Sequence, residues 1–429
     1  MKKIHVAPAA GIKKSLSVQG DKSISHRAII IGSLAKGRTE ISNFLEAEDT
    51  LNTIKVYKQL GVKIEKKKGK YQVFGRGLNS FRQPVKQLYV GNSGTGIRLT
   101  LGVLAPQNFS CSITGDGQII KRPMNRVILP LTQMGARFKS NNGRAPVSVA
   151  GGPLRGIKYE MPVASAQVKS AIMFAALHAS GKTEISEKIK SRDHTELMLK
   201  YFGADIKEKK GSLVINPGQV LTGKKVFVPG DISSAAYFMA AGALTKGSSI
   251  TVKNTGINGS RTGIIDVMKK MGAKIAVKNR KLKNGETVAD IASSSSKLKG
   301  ITIGGAIIPR LIDEIPVIAV MAAFAKGRSV IKNAKELRVK ETDRIATVVE
   351  NLKRIGVKAE ERADGMVIYG NEGKPFKYAD IDSYGDHRIA MSFSVAALVS
   401  ENGLLIKDIE CVNTSFPEFF SLIGGLKQK

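Results

Sequence analysis

Tryptophan is missing from this chain of 429 residues, aromatic side chains make up only 6% of it, and there are two cysteines. Cys111 and Cys411 cannot build a disulfide framework or a four-cysteine metal site, and so sparse a use of thiols suits a reducing compartment. With so few rings, and no run that interleaves Phe or Tyr with Arg, stacking on nucleic-acid bases has little support. Long apolar runs are absent as well. The longest, Ala235 to Leu244, falls far short of the roughly 18 residues of a membrane span. The start, Lys2-Lys3-Ile4-His5 running on to Pro8, carries no apolar stretch of a signal peptide. A soluble cytoplasmic protein is expected. Acidic residues are scarce, 35 Asp and Glu against 68 Lys and Arg, which leaves a formal charge of +33. Such an excess attracts nucleic acid or a membrane surface, or it surrounds a site for small anions. A hydrophobic content of 42% against 24% charged residues excludes a disordered chain, and the length allows two or three cores.

What the chain does have is self-similarity. A polar or glycine-containing start, about a dozen small and apolar residues, a glycine and a β-branched strand recur together. The phrase runs from Gly20-Asp21-Lys22-Ser23 to Gly37-Arg38-Thr39-Glu40-Ile41, and from Ser165-Ala166-Gln167 to Gly181-Lys182-Thr183-Glu184-Ile185. It returns from Gly230-Asp231-Ile232-Ser233, from Asp313-Glu314-Ile315-Pro316 and from Gly385-Asp386-His387-Arg388, with a looser copy at Asn92-Ser93-Gly94-Thr95. The closing glycines, from Gly37 to Gly403, set a period of about 73 residues and imply six units. Segments such as Ala235 to Ala241 are apolar nearly all round, which predicts buried helices, with Asp, Ser or Asn as N-cap and the following Gly as C-cap. Between them lie amphipathic segments ending in Met134-Gly135-Ala136, Gly203-Ala204 or Met271-Gly272-Ala273, followed by short strand-like runs. The clusters Lys66-Lys67-Lys68 and Lys207 to Lys210 precede Gly69 and Gly211 and read as exposed hairpin tips. An α/β protein of repeated βαβαββ units is predicted.

If the buried helices of each half run parallel, their N-termini converge, and the unpaired N–H groups and positive dipole ends there collect anions. The residues at those starts are Lys22, Ser23, Gly94, Thr95, Ser165, Gln167, Asp313, His387 and Arg388. Polar capping suffices to explain Ser233 and Ser234. It explains Lys22 and Arg388 less well, because a cation opposes the dipole there and needs another reason. Arg122 follows the loop Gly115-Asp116-Gly117 and precedes Pro123, and in Leu337 to Arg344 the spacing places Lys340 and Arg344 one helical turn apart with Glu341 beside them. Arginine forks that converge suit phosphorylated carboxylic acids, although Lys-Glu-x-x-Arg by itself also describes an ordinary surface ion-pair face. No P-loop or dinucleotide-binding glycine pattern is present, and the five histidines show no metal-ligand spacing, so no metal is expected. His5 and His178 read as structural or exposed; His26 and His387 flank the candidate site.

Taken together, Gly20 to Arg27, Gly91-Asn92-Ser93-Gly94-Thr95, Lys121-Arg122-Pro123-Met124, Ser165-Ala166-Gln167, Ser191 to Glu196, Leu337 to Arg344 and Gly385-Asp386-His387-Arg388 resemble the 5-enolpyruvylshikimate-3-phosphate synthase family of enolpyruvyl transferases. The resemblance spans nearly the whole chain, in order. It implies an inside-out α/β barrel fold in two domains of three units each, residues 1–20 plus 229–429 and residues 21–228, with substrates in the cleft between them. It also implies transfer of the enolpyruvyl group of phosphoenolpyruvate to the 5-hydroxyl of shikimate 3-phosphate, with release of phosphate and with no metal or organic cofactor. Carried over by position, Lys22, Ser23, Arg27, Ser165, Ala166, Gln167, Asp313 and Lys340 would hold shikimate 3-phosphate. Lys22, Gly94, Arg122, Gln167, Arg344 and Arg388 would hold phosphoenolpyruvate. Asp313 is the candidate base for the hydroxyl, and Glu341 or Lys22 the candidate acid for the methylene carbon.

Three departures accompany the resemblance. The segment Cys411 to Pro417 has no lysine where some members have one, Ala166 replaces a serine of other branches and offers only its backbone, and Gly94 has no side chain where phosphoenolpyruvate would bind. Gly94→Ala is therefore expected to relieve inhibition by glyphosate, which mimics that occupancy. Two other readings stand beside this one. The sister transferase acting on UDP-N-acetylglucosamine places a reactive cysteine about where Gly117 stands, whereas Cys111 lies in an apolar strand and reads as core. An RNA-binding protein on related units is favoured only by the charge. The expected partners are thus the two small anions, with neither nucleic acid nor membrane, and the expected state is a monomer.

Overall fold

A computed structural model describes residues 2–209 and 211–426. Lys210, at the end of the second expected hairpin tip, lies outside the described residues. The chain divides into two compact units. One comprises Met1–Gln19, Pro229–Leu282 and Thr287–Lys429, the other Gly20–Val228 and Lys283–Glu286.

Among the described residues six separate sheets, three for each unit, carry the repeat. Within Leu88–Ala150 the order is Leu88–Tyr89, Ser110–Thr114, Arg144–Ala150, Arg137–Asn141. The first pair is parallel, joined through the helix Gly94–Leu104, and the rest antiparallel. Lys158–Met161, Thr183–Glu187, Ser212–Ile215 and Ile206–Lys209 repeat it. Two sheets borrow their first strand from a distant stretch: Lys225–Phe227 joins Lys36–Ser42, and Lys13–Ser17 joins Ser249–Gly256, both in parallel. The sixth unit departs from βαβαββ. Its sheet has three strands, Asp380–Asp382, Leu404–Lys407 and, in place of a closing hairpin, the N-terminal strand Lys3–Val6 paired antiparallel with Lys3 opposite Lys407.

The expected buried helices are Lys22–Leu34, Gly94–Leu104 and Ala166–Ala176 in one unit, and Ile232–Leu244, Ile315–Phe324 and His387–Ala397 in the other. Every residue of Ile232–Leu244 is buried, as its all-round apolar sequence requires. Gly102 lets two of these helices come close, because a Cβ there would stand 2.2 Å from the Ala171 carbonyl oxygen. Five of the six buried helices have the expected N-cap, Asp21, Ser93, Ser165, Asp231 and Asp386, each accepting a backbone N–H, whereas Ile315–Phe324 starts after Glu314, whose side chain makes no capping bond. The C-cap expectation is corrected. Ala35, Thr245 and Ala325 end their helices in extended conformation, and the left-handed glycines Gly37, Gly247 and Gly327 stand two residues further on, in the turn to the strand. Gly135, Gly203 and Gly272 do close the amphipathic helices, with φ of +108°, +104° and +92° that side chains rarely adopt.

In four of the sheets the outer strand opposite the parallel pair is rich in cations: Lys63, Lys66 and Lys67; Arg137 and Lys139; Lys207 and Lys209; Lys274, Lys278, Arg280 and Lys281. Cations on an open edge discourage pairing with another chain. Among the described residues no helix is long and apolar enough to cross a membrane.

Candidate active site

Within each unit the starts of the three buried helices meet. In the unit containing Lys22, Gln167 Nε2 donates to Thr95 Oγ1 at 3.0 Å, and Arg27 reaches across to Ser170 Oγ at 2.9 Å and Thr195 Oγ1 at 2.6 Å while also bonding the Ser23 carbonyl at 2.9 Å. With Thr95 beside Gln167 and Gly102 beside Ala171, the helices Gly94–Leu104 and Ala166–Ala176 run in the same direction. Lys22 overcomes the dipole at its helix start through Asp49, whose carboxylate lies 3.0 Å from Nζ. Arg122 is nine-tenths buried and ends a short helix, Gly117–Lys121, which Asp116 of the preceding loop caps. Arg98 was not singled out in the sequence. Its guanidinium donates to Gln167 Oε1 at 2.8 Å and to the Pro123 carbonyl at 3.0 Å, so it ties Gln167 to the Arg122 segment. A Cβ on Gly94 would stand 2.7 Å from Arg122 Nη1 and 3.0 Å from Arg98 Nη1. Ser165 caps its helix through Val168 N–H at 3.4 Å, leaving Ala166 at the first helical position with only its backbone to offer.

The other unit gathers carboxylates among cations. The Asp313 carboxylate lies 3.7 Å from Lys340 Nζ, 3.4 Å from Arg344 Nη1 and 3.8 Å from Arg388 Nη2, and its carbonyl accepts from Arg388 Nη1 at 3.1 Å. Arg344 is 1% exposed, its Nε and Nη2 fork onto Asp386 at 2.7 and 3.3 Å, and Nη2 also donates to Glu341 at 2.5 Å. Asp386 in turn caps the last buried helix through Arg388 N–H at 2.8 Å. Two expectations are corrected here. Lys340 and Arg344 do not share a helix: a 3-10 turn ends at Val339, the chain bends, and a new helix begins at Arg344 with Asp343 as N-cap. They converge on Asp313 because of that bend. Arg338, one turn earlier, forms the ordinary surface ion pairs, with Asp343 at 2.7 Å and Glu361 at 2.6 Å. Ser233 is no cap either, since Asp231 holds that place; its hydroxyl donates to Glu314 and accepts from Arg261 at 2.8 Å.

Cys111 is paired into its sheet opposite Val149, and burial pushes its thiol up to about 11, so a reactive thiolate is disfavoured there. His5 Nε2 donates to the Asn402 carbonyl at 2.8 Å, and burial draws His178 down to about 4. Among the described residues no group of three His, Cys, Asp or Glu side chains is placed to hold a metal ion.

A family model described as EPSP synthase (3-phosphoshikimate 1-carboxyvinyltransferase) matches residues 6–423. The chain belongs to the EPSP synthase family. The 3-phosphoshikimate 1-carboxyvinyltransferase of Thermoanaerobacter pseudethanolicus is 53% identical over 425 residues, covering 99% of this chain and 100% of the relative. That of Petrotoga mobilis is 50% identical over 430 residues, covering 99% of each. A solved EPSP synthase from Acinetobacter baumannii superposes with a TM-score of 0.89 at 42% identity, covering 100% of this chain and 98% of that one. This chain is a transferase that moves the enolpyruvyl group of phosphoenolpyruvate to shikimate 3-phosphate, in the shikimate pathway of aromatic amino-acid biosynthesis. The reading as a UDP-sugar transferase is set aside by that membership.

Proposed function

We propose that the two clusters of helix starts act on the same substrate pair, with Lys22, Ser23, Arg27, Ser165, Ala166, Gln167, Asp313 and Lys340 holding shikimate 3-phosphate. Lys22, Gly94, Arg122, Gln167, Arg344 and Arg388 hold phosphoenolpyruvate. The observation that carries this reading is the single carboxylate of Asp313 with three cations, Lys340, Arg344 and Arg388, within 3.4 to 3.8 Å. Two of these cations are the ones assigned to phosphoenolpyruvate. When that anion arrives they turn toward it, and the Asp313 carboxylate is left to take the proton of the attacking 5-hydroxyl. Glu341 or Lys22 delivers a proton to the methylene carbon. Carboxylates face the cationic carbon so formed, the 5-oxygen adds to it, and the methyl group then returns a proton to the group that supplied it, restoring the double bond as the carbon–phosphate oxygen bond breaks and the arginines stabilise the leaving phosphate. The chemistry asked of the protein is proton transfer and departure of an anion, which side chains supply without a cofactor. The enzyme works as a monomer in the cytoplasm.

Phosphate release from phosphoenolpyruvate, measured with shikimate 3-phosphate or with UDP-N-acetylglucosamine as acceptor, tests the reading of the acceptor. Release is expected with the first alone, and release with the sugar nucleotide alone would overturn it. Gly94→Ala tests the placing of phosphoenolpyruvate. The added methyl meets only the movable ends of Arg122 and Arg98, so the chain folds, but the guanidinium groups are displaced. Glyphosate should lose at least about tenfold in potency, with a weaker loss for phosphoenolpyruvate. Unchanged inhibition of the alanine enzyme would remove the steric argument.

A further inference from the structure

His26 is fully buried at the second turn of Lys22–Leu34, between Lys22 and Arg27, yet it belongs to neither set of substrate contacts. Its ring spans two other elements. Nδ1 lies 2.7 Å from Thr53 Oγ1 on the helix Glu48–Gln59, and Nε2 lies 3.4 Å from Ser93 Oγ, the N-cap of Gly94–Leu104. The neighbours of those hydroxyls fix the direction of every bond. Thr53 Oγ1 donates to the Asp49 carbonyl at 3.3 Å, so it accepts from the ring and Nδ1 carries the proton. Ser93 Oγ accepts from Gly96 N–H at 2.9 Å, so its own proton is free to point at Nε2. One directed chain therefore runs from Gly96 N–H through Ser93, His26 and Thr53 to Asp49, the residue that also pairs with Lys22. Burial, then the charges of Lys22 and Arg27, hold His26 well below its ordinary pKa, which keeps the imidazole neutral as that chain demands.

We propose that His26 is a positioning residue for the phosphoenolpyruvate anion, acting through Ser93. Because Ser93 engages Gly96 N–H, the N–H groups of Gly94 and Thr95 remain at the helix start for an anion, and the rotamer of Ser93 decides how they are presented. His26 sets that rotamer. The inference rests on the reading that places phosphoenolpyruvate at Gly94.

Steady-state kinetics of three variants separate the two. Thr53→Val keeps the shape of the side chain but removes the acceptor of Nδ1–H, and should raise KM for phosphoenolpyruvate about fivefold, with kcat and KM for shikimate 3-phosphate within twofold. His26→Asn can keep a donor toward Thr53 but cannot also reach Ser93, and should raise the same KM about tenfold. In nitrogen-proton correlation spectra His26 should appear as the neutral form protonated at Nδ1, and Thr53→Val should disturb that preference. Arg122→Ala is the control for the site itself. If it raises KM for phosphoenolpyruvate while the other two variants leave it unchanged, or change both KM values alike, His26 does no more than pack. If Arg122→Ala also leaves it unchanged, the placing of the anion falls and the role of His26 falls with it.

Discussion

Asp313→Asn should lower kcat by at least about a hundredfold while the protein stays folded. The replacement is isosteric and spares the Asp313 carbonyl, which accepts from Arg388 Nη1 at 3.1 Å, so the start of the helix Ile315–Phe324 keeps its tie to Arg388. What disappears is the charge. An amide cannot accept the proton of the 5-hydroxyl, and Lys340, Arg344 and Arg388 lose the anion they share. Substrate affinity should change less than turnover, because those three cations become freer to bind phosphate and carboxylate. Turnover within threefold of the parent, with a normal thermal unfolding midpoint, would mean that another group takes the proton.

The second large effect is expected at Arg344, where stability and activity fall together. Its guanidinium is almost wholly buried and engages Asp386, Glu341 and Asp313. In Arg344→Gln the fully buried Asp386 keeps Arg388 N–H as a partner but loses the fork that neutralises it. Removing one partner of a buried ion pair costs about 3–5 kcal/mol. The midpoint of thermal unfolding should fall accordingly, and kcat/KM for phosphoenolpyruvate should drop at least about a hundredfold. Arg344→Lys should recover part of the stability and little of the activity, since an ammonium is a point charge that cannot fork. A glutamine variant with the parent's unfolding midpoint and KM would take Arg344 out of both roles.

The candidate site was legible where its residues carry local signals. Lys22 and Arg388 stand out because each is a cation at a helix start, and Asp21, Ser93, Ser165, Asp231 and Asp386 because short polar side chains precede apolar runs. The partners that make these cations tolerable carry no such signal. Asp49 lies 27 residues from Lys22, and Asp386 lies 42 from Arg344. Arg98 could have been noticed as the residue one turn after Gly94, but nothing local says that Gln167, 69 positions away, receives its proton. The helical spacing of Lys340 and Arg344 misled because Asp343 is a better cap than interior residue and starts the helix anew.

By itself the amino-acid order determined the period, the buried helices with their caps, the strands with their glycine corners and the family, since each is written in neighbouring residues through backbone sterics and the spacing of apolar side chains. Only the tertiary structure decided that Lys13–Ser17 and Lys225–Phe227 complete distant sheets, that Lys3–Val6 substitutes for the missing hairpin of the last unit, and which carboxylate answers which guanidinium. Those choices depend on how far apart packed helices come to rest, as at Gly102 against Ala171, and no rule that reads a few residues at a time transmits that distance.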